Sequence, residues 1–242
     1  DYINIGTGGI STISSSLSIW FKTTSTAANK GFFGINSNSL DYYISLLQTG
    51  SNTIQFYPGS GPMVSITPVI NDGNWHNLVV TYDHGSSLFK AYTDGAETYS
   101  ATYSQASGMV FKVIGATYGI NRKWDGDLSN ASLWSQALTF SQVREIYNQG
   151  LPSDLNSHSA VSLLTGWWQL GENSSYTSGW TFADEIGSNN GDGIGLPEIA
   201  LTNGVGTTAN GVSTGMAVGA LVGNAPYSTA NAISSGLSLI HI

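Results

Sequence analysis

Apolar and small polar positions alternate along the first 134 residues with the two-residue period of half-buried strands. The runs are short, and turn signals separate them roughly every 8 to 12 residues, the spacing of a β-sandwich. The pattern predicts strands at Tyr2–Ile5, Leu17–Lys22, Gly31–Ile35, Tyr42–Leu47, Thr53–Tyr57 and Met63–Thr67. Further strands are predicted at Trp75–Tyr82, Ser87–Thr93, Glu97–Tyr103, Phe111–Ala116 and Trp124–Trp134. Leu17, Ile19 and Phe21 alternate with Ser18, Trp20 and Lys22, so one face of that strand is expected to be buried. Asn71-Asp72-Gly73 and Asp94-Gly95 carry the residues that tight turns require.

The period changes once. Thr139 with Gln142 three positions later makes a capping box. Phe140, Val143, Ile146 and Tyr147 then share a helical face, Gly150 suits a left-handed C-terminal position, and Pro152 prevents continuation. This predicts a helix of about ten residues against the edge of the sandwich. Thr165–Leu170 reads as one more strand, and Ser174–Gly195 as loop. Thr208–Val218 recurs 21 residues later as Thr229–Leu239, with each pair of positions identical or chemically similar. Two copies are too few for a free-standing solenoid, so they are expected to pack on the sandwich or on a neighbouring subunit.

Composition narrows the class. Charged residues are 9% of the chain, against roughly 25% in an ordinary domain. No apolar run of about 18 residues exists, which excludes a transmembrane helix and membrane insertion by one. Seven Trp, 12 Tyr and 8 Phe supply a core and argue against disorder. There is no Cys, hence no disulfide or thiolate chemistry. Gly, Ser, Thr and Asn make about two-fifths of the residues, a turn-rich β palette. The net charge of −8 is uneven: all seven Lys and Arg lie at or before Arg144, and the last 98 residues hold seven acids. Such a tail repels nucleic acid and anionic membranes. The start at Asp1 reads as a mature or trimmed chain.

Asp72-Gly-Asn-Trp-His-Asn-Leu-Val-Val-Thr-Tyr-Asp83 resembles a characteristic strand of laminin-G-like, concanavalin-A-like jelly rolls. Trp124–Leu138, the helix after it, and the opening Asp1–Ile5 resemble further elements of that family in the same order. The resemblance implies an all-β antiparallel jelly-roll sandwich over residues 1–150, followed by an acidic Gly/Ser/Asn-rich extension over 151–242. Leu164–Leu170, the Asp184–Gly193 loop and the repeat resemble the C-terminal regions of jelly-roll virion proteins of marine tailed bacteriophages.

The fold hosts lectins, hydrolases, adhesins and structural modules, so function must come from sites. Calcium prefers several oxygen ligands, and some relatives carry it at a loop rim; Asp125, Asp127 and Asn130 are the candidates here. In a regular strand, however, Asn130 points away from the two carboxylates. Asp184, Glu185, Asn189, Asn190 and Asp192 form a second oxygen-rich loop, read either as an ion site or as a solvated acidic loop. Tyr118, Asn121, Arg122 and Trp124 combine aromatic and hydrogen-bonding groups suited to a glycan, or form a polar loop with an anchoring Trp. Trp75 is read as core and His76 as hydrogen-bonded, with no catalytic partner signalled by spacing. The paired-acid strand of concanavalin-A-like glucanases is absent. The expectation is a non-enzymatic virion structural or surface-adhesion protein, homo-oligomeric, whose sandwich binds glycans or other virion or surface proteins and whose tail mediates assembly. Its place is the virion, or alternatively the extracellular space or a bacterial surface. A free lectin is the alternative, with a glycoside-processing enzyme after it.

Overall fold

The computed structural model describes residues 1–6, 14–34, 44–49, 53–58, 64–66, 71–104, 111–117, 120–197, 201–202 and 239–241. In chain order the strands are β1 (Tyr2–Asn4), β2 (Ser15–Lys22), β3 (Lys30–Gly31), β4 (Phe33–Gly34), β5 (Ile44–Thr49), β6 (Thr53–Pro58) and β7 (Val64–Ile66). There follow β8 (Trp75–Asp83), β9 (Leu88–Thr93), β10 (Ala96–Thr102), β11 (Val113–Ile114), β12 (Ala116–Thr117), β13 (Arg122–Lys123) and β14 (Asp127–Trp134). Helix α1 (Phe140–Tyr147) precedes β15 (Leu164–Trp168), β16 (Ser175–Tyr176), β17 (Trp180–Phe182), β18 (Gly191–Ile194), β19 (Leu201–Thr202) and β20 (Leu239–His241). No helix among the described residues is long and apolar enough to cross a membrane.

Two large antiparallel sheets make the sandwich. One runs β16-β17-β18-β1-β11-β4, and the other β10-β9-β8-β2-β14-β20-β19 with β15 also on β14. Leu17, Ile19, Phe21, Leu78, Val80 and Phe89 of the larger sheet meet Ile3, Ile5, Phe33, Ile114 and Phe182 of the smaller. A four-stranded sheet, β3-β5-β6-β7, brings Ile54 and Phe56 into the same core, with the Phe56 ring stacked 4.1 Å from that of Phe89.

The larger sheet is covered on its second face as well. Val79, Tyr92, Trp134 and Trp167 pack there against Val143 and Ile146 of α1 and Leu155 and Ala160 beyond it. The whole of β2 is therefore buried or nearly so, where the alternation predicted burial of one face. The polar positions are small groups, and Ser16, Ser18 and the Asn77 amide nitrogen make hydrogen bonds there, whereas Ser15 Oγ and Asn77 Oδ1 have no partner among the described residues. Ser16 Oγ donates to the Gln136 carbonyl at 2.8 Å and accepts from Leu138 N–H at 2.9 Å. Asn77 Nδ2 donates to Ser18 Oγ at 3.2 Å and to the Ile19 carbonyl at 3.3 Å. The pattern of a sheet covered by a polar seam resembles that of a solvated sheet, so alternation alone could not separate them.

The capping box forms as expected: Thr139 N–H donates to Gln142 Oε1 at 2.8 Å, and Gln142 N–H donates to Thr139 Oγ1 at 3.4 Å. The helix spans eight residues rather than ten, because the left-handed turn begins early, at Asn148 (φ 43°), and continues through Gln149 (φ 57°) and Gly150 (φ 96°). The helix lies over a sheet face rather than at an edge. Phe140 does not join the buried face; it is 50% exposed.

Ser174–Gly195, read as loop, contains β16, β17 and β18. Two- to four-residue strands leave no periodic signal, and Gly191 and Gly193 are demanded by packing. A Cβ at Gly191 would sit 2.5 Å from Ile3 Cγ2, and one at Gly193 would sit 2.7 Å from Trp180 Cβ. Strand β18 pairs with β1 (Tyr2↔Ile194), and β15 pairs with β14 (Ala131↔Trp168). Residues past 150 thus supply part of both sheets. The repeat lies outside the described residues except for Leu239, which opens β20; that strand pairs with β14 at Asp127↔His241 and Leu128↔Ile240.

If α1 is the lid on this second face, Ile146→Ala will lower unfolding free energy by about 2–5 kcal/mol. Urea denaturation measures it, and a loss below about 0.5 kcal/mol, the scale of a surface change, contradicts the packing.

Candidate functional site

The Asp94-Gly95 turn joins β9 to β10 with both residues at positive φ (52° and 73°), as a two-residue hairpin requires. Gly95 serves a second purpose. A Cβ there would lie 2.7 Å from Tyr147 Cδ1, so only glycine lets the turn approach α1 so closely. The Tyr147 ring is in turn stacked on Trp20, 5.9 Å between centroids. Turn and helix together wall an open groove of about 580 Å3, lined by Asp94, Gly95, Ala96, Phe140, Ser141, Arg144, Glu145, Tyr147, Asn148 and Gln149.

Phe140 rises from the first turn of α1 with half its surface exposed. Its ring stacks on Tyr92 at 6.1 Å, and the Arg144 guanidinium lies 5.9 Å from its centroid. The left-handed turn brings the amides of Asn148 and Gln149, both exposed, to the same groove. The groove therefore offers one large aromatic surface, a planar cation and neutral hydrogen-bonding groups.

The two acids on its wall are held internally. Asp94 Oδ2 is 2.8 Å from His76 Nδ1, and its Oδ1 accepts from Asn77 N–H at 2.9 Å. Glu145 accepts from the Ser159 N–H and hydroxyl, each at 2.9 Å. Both hydrogen bonds, and the nearby His158, hold the Glu145 carboxyl below its ordinary value against the cost of its partial burial.

His76 is bracketed by carboxylates: its Nε2 also meets Asp72 Oδ1 at 3.0 Å. The hydrogen bond to Asp94 raises its pKa; partial burial opposes this, and Asp72 adds to it. Burial works against Asp72 ionising, but hydrogen bonds from the Asn74 side chain and backbone and from His76 bring it down to about 2. Sequence spacing gave no sign of these partners, because Asp72 and Asp94 sit in two different turns that meet only in the fold. With both ring nitrogens committed, His76 holds turns together and has no nitrogen left for a substrate's proton. Trp75, expected in the core, is only half-buried beside it.

The sequence candidates fall in different places. Trp124 is a core residue, 2% exposed, with its ring 4.0 Å from Phe32 and 5.8 Å from Phe21, so it presents no platform to solvent. Asn121 is exposed and Arg122 partly exposed at the β12–β13 turn, and Tyr118 lies outside the described residues. Asp125 is exposed, while Asp127 pairs with Lys22 at 3.8 Å. Asn130 occupies a bulge in β14 with φ 46° and is buried, donating to Ser129 Oγ at 3.0 Å and accepting from Trp167 Nε1 at 3.1 Å. Its amide is thus engaged beneath α1, and Asp125, Asp127 and Asn130 do not fit a calcium ion. Among the described residues no three His, Cys, Asp or Glu side chains cluster as metal ligands.

The second oxygen-rich loop folds on itself. Asp184, 6% exposed, accepts from Trp167 N–H (3.0 Å), Ile186 N–H (3.2 Å) and Asn189 N–H (3.3 Å), and Asn190 Oδ1 accepts from Asp184 N–H (3.0 Å). Sequence reasoning missed the groove because its aromatic, Phe140, looked like a core position of an amphipathic helix. The one available signal was its place at the helix's first residue, where the buried stripe has barely begun.

The geometry defines a two-sheet jelly roll with a surface groove beside helix α1. A model of the concanavalin A-like lectin/glucanases superfamily, in its laminin-G-type form, matches residues 1–144, and the chain belongs to that family. Human neuronal pentraxin-1 is 23% identical over 141 residues, which are 54% of this chain and 32% of that protein, so the chain spans about a third of that relative. A Bacteroides ovatus protein provisionally assigned to carbohydrate binding superposes with a TM-score of 0.60 at 18% identity, over 79% of this chain and 55% of that one, and so shares the fold. Domain 4 of AbnA, a Geobacillus stearothermophilus extracellular arabinanase solved with arabinotriose, aligns over 58% of this chain and 69% of that one, at 24% identity and a TM-score of 0.48.

His76 has a folded-state pKa above its ordinary 6.5, so its contribution to stability is complete below about pH 6.5 and is lost as pH rises through the raised value. Unfolding free energy measured from pH 5 to 9 should therefore decline above neutrality. The slope should be shallower in Asp94→Asn; an unchanged slope in that variant contradicts the assignment.

Proposed function

We propose that this protein is a non-enzymatic, lectin-like carbohydrate-binding module and that the groove beside α1 is its saccharide site. The observation that carries the reading is Phe140, a half-exposed aromatic ring inside a groove whose lining also includes Tyr147, the Ser141 hydroxyl, two amides and three charged groups. Few convergent polar groups around an apolar surface are the usual makeup of a small-molecule site. A sugar ring stacks its C–H face on the aromatic, and its hydroxyls pair with Asn148, Gln149 and Ser141. The likeness in fold to the Bacteroides ovatus protein is consistent with this reading. Against hydrolysis stands the engagement of both groove acids by internal partners, which leaves neither placed to transfer a proton. Asn121 and Arg122 on the β12–β13 turn are the alternative location.

The setting we propose is a virion or a bacterial surface, with the chain held in a homo-oligomer through its C-terminal tail, residues 200–242, which carry no Asp, Glu, Lys or Arg. What supports a role for the tail is that its last strand, β20, already adds to a sheet through backbone pairing with β14. The same mode serves equally between chains.

Phe140→Ala should weaken binding on a glycan array at least tenfold while leaving the melting temperature within about 2 °C, and chelator should leave binding unchanged. Retained binding in Phe140→Ala with loss in Asn121→Ala/Arg122→Ala moves the site to the rim. Deleting residues 200–242 should reduce assembly measured by light scattering; unchanged assembly removes the tail's role.

A further inference from the structure

The charges around the groove are unequal in one respect. Asp94 and Glu145 are each held by internal hydrogen bonds, and the neighbouring Glu97 pairs with Lys90 at 2.7 Å. Arg144 is exposed, its guanidinium lies over Phe140, and it has no carboxylate partner among the described residues. Its backbone carbonyl accepts the cap bond from Asn148 N–H, and its side chain stands in the last turn, where the helix dipole also favours a cation. At 5.9 Å from the ring centroid the guanidinium is within cation–π reach of Phe140, and its N–H groups are the donors that a carboxylate can accept in pairs. In a chain of net charge −8, an arginine with no carboxylate partner among the described residues, beside an aromatic surface, is a local exception to the prevailing field.

We infer that the groove takes an acidic saccharide, one whose sugar ring carries a carboxylate, with Arg144 pairing that carboxylate while Phe140 takes the ring's apolar face. The proposal rests on the groove being the saccharide site argued above, and adds the chemical class. A carboxylate accepts two parallel N–H bonds from a guanidinium, the arrangement that an ammonium cannot reproduce. Asn148 and Gln149 are neutral, and the charges of the two groove acids, Asp94 and Glu145, are directed at internal hydrogen-bond partners while the Arg144 charge faces the groove.

The test uses the full chain against a panel of uronic-acid- and sialic-acid-bearing oligosaccharides, each beside its carboxyl-reduced counterpart. Binding of at least one acidic member is expected, with at least tenfold loss on carboxyl reduction. Arg144→Gln should reproduce that loss without moving the thermal midpoint, and Arg144→Lys should recover only part of the affinity. Lys112→Gln, which removes one positive charge from an exposed position outside the groove, should bind as the wild type does. Equal binding to acidic and carboxyl-reduced forms overturns the acidic class while leaving the groove as a saccharide site. Equal losses in Arg144→Gln and Lys112→Gln overturn it too, by reducing the effect to net charge. No binding to any member by the wild type overturns both the class and the site.

Discussion

The groove depends on one close approach, that of the Tyr147 ring to the backbone of Gly95. Tyr147 is stacked on Trp20, which rises from the middle of the larger sheet, so the helix is referenced to the sheet through an aromatic pair. Gly95 then brings the β9–β10 turn against the Cβ, Cγ and Cδ1 atoms of Tyr147, where any side chain would collide. Once these contacts are fixed, Asp94 is aimed at His76 and Asn77, and Phe140 is left standing at the lip. Interiors this tightly packed do not deform gradually, so the groove's shape is inherited from the sandwich rather than from a free loop.

The covering of the larger sheet on both faces explains why the sandwich extends past the family match at residue 144. Leu155, Ala160 and Leu164 continue the layer that Val143 and Ile146 begin. His158 locks that layer: its ring packs tilted against Trp134 with centroids 4.7 Å apart, its Nε2 donates to the Gln142 carbonyl at 2.9 Å, and its Nδ1 accepts from Ala160 N–H at 3.0 Å. Strands β15 to β18 then return through both sheets. The acidic second part of the chain is, as far as residue 197, structural material of the jelly roll.

Much of the fold was legible in the residues because the signals were local. The strand alternation, the Asp94-Gly95 turn and the Thr139/Gln142 box each state their geometry within a few positions. What failed to show was non-local. Ser18 and Trp20 read as the unburied face of their strand, yet both are buried, on the side where the Trp20 ring stacks on Tyr147 of α1. Gly191 and Gly193 read as loop residues, although they are there to admit Ile3 and Trp180. The site was hardest, because burial decides it: Trp124 and Asn130 have the right chemistry for ligands but face inward, whereas Phe140 has the look of a core residue but faces out. His76 found two carboxylates that spacing along the chain did not foretell.

We propose that ligand recognition resides between α1 and the Asp94-Gly95 turn. Backbone amide chemical-shift mapping during titration with a bound saccharide tests it directly. Shifts are expected to concentrate at residues 94–96 and 140–149. Shifts confined to residues 120–127, at the β12–β13 turn, with the helix unperturbed, would contradict it.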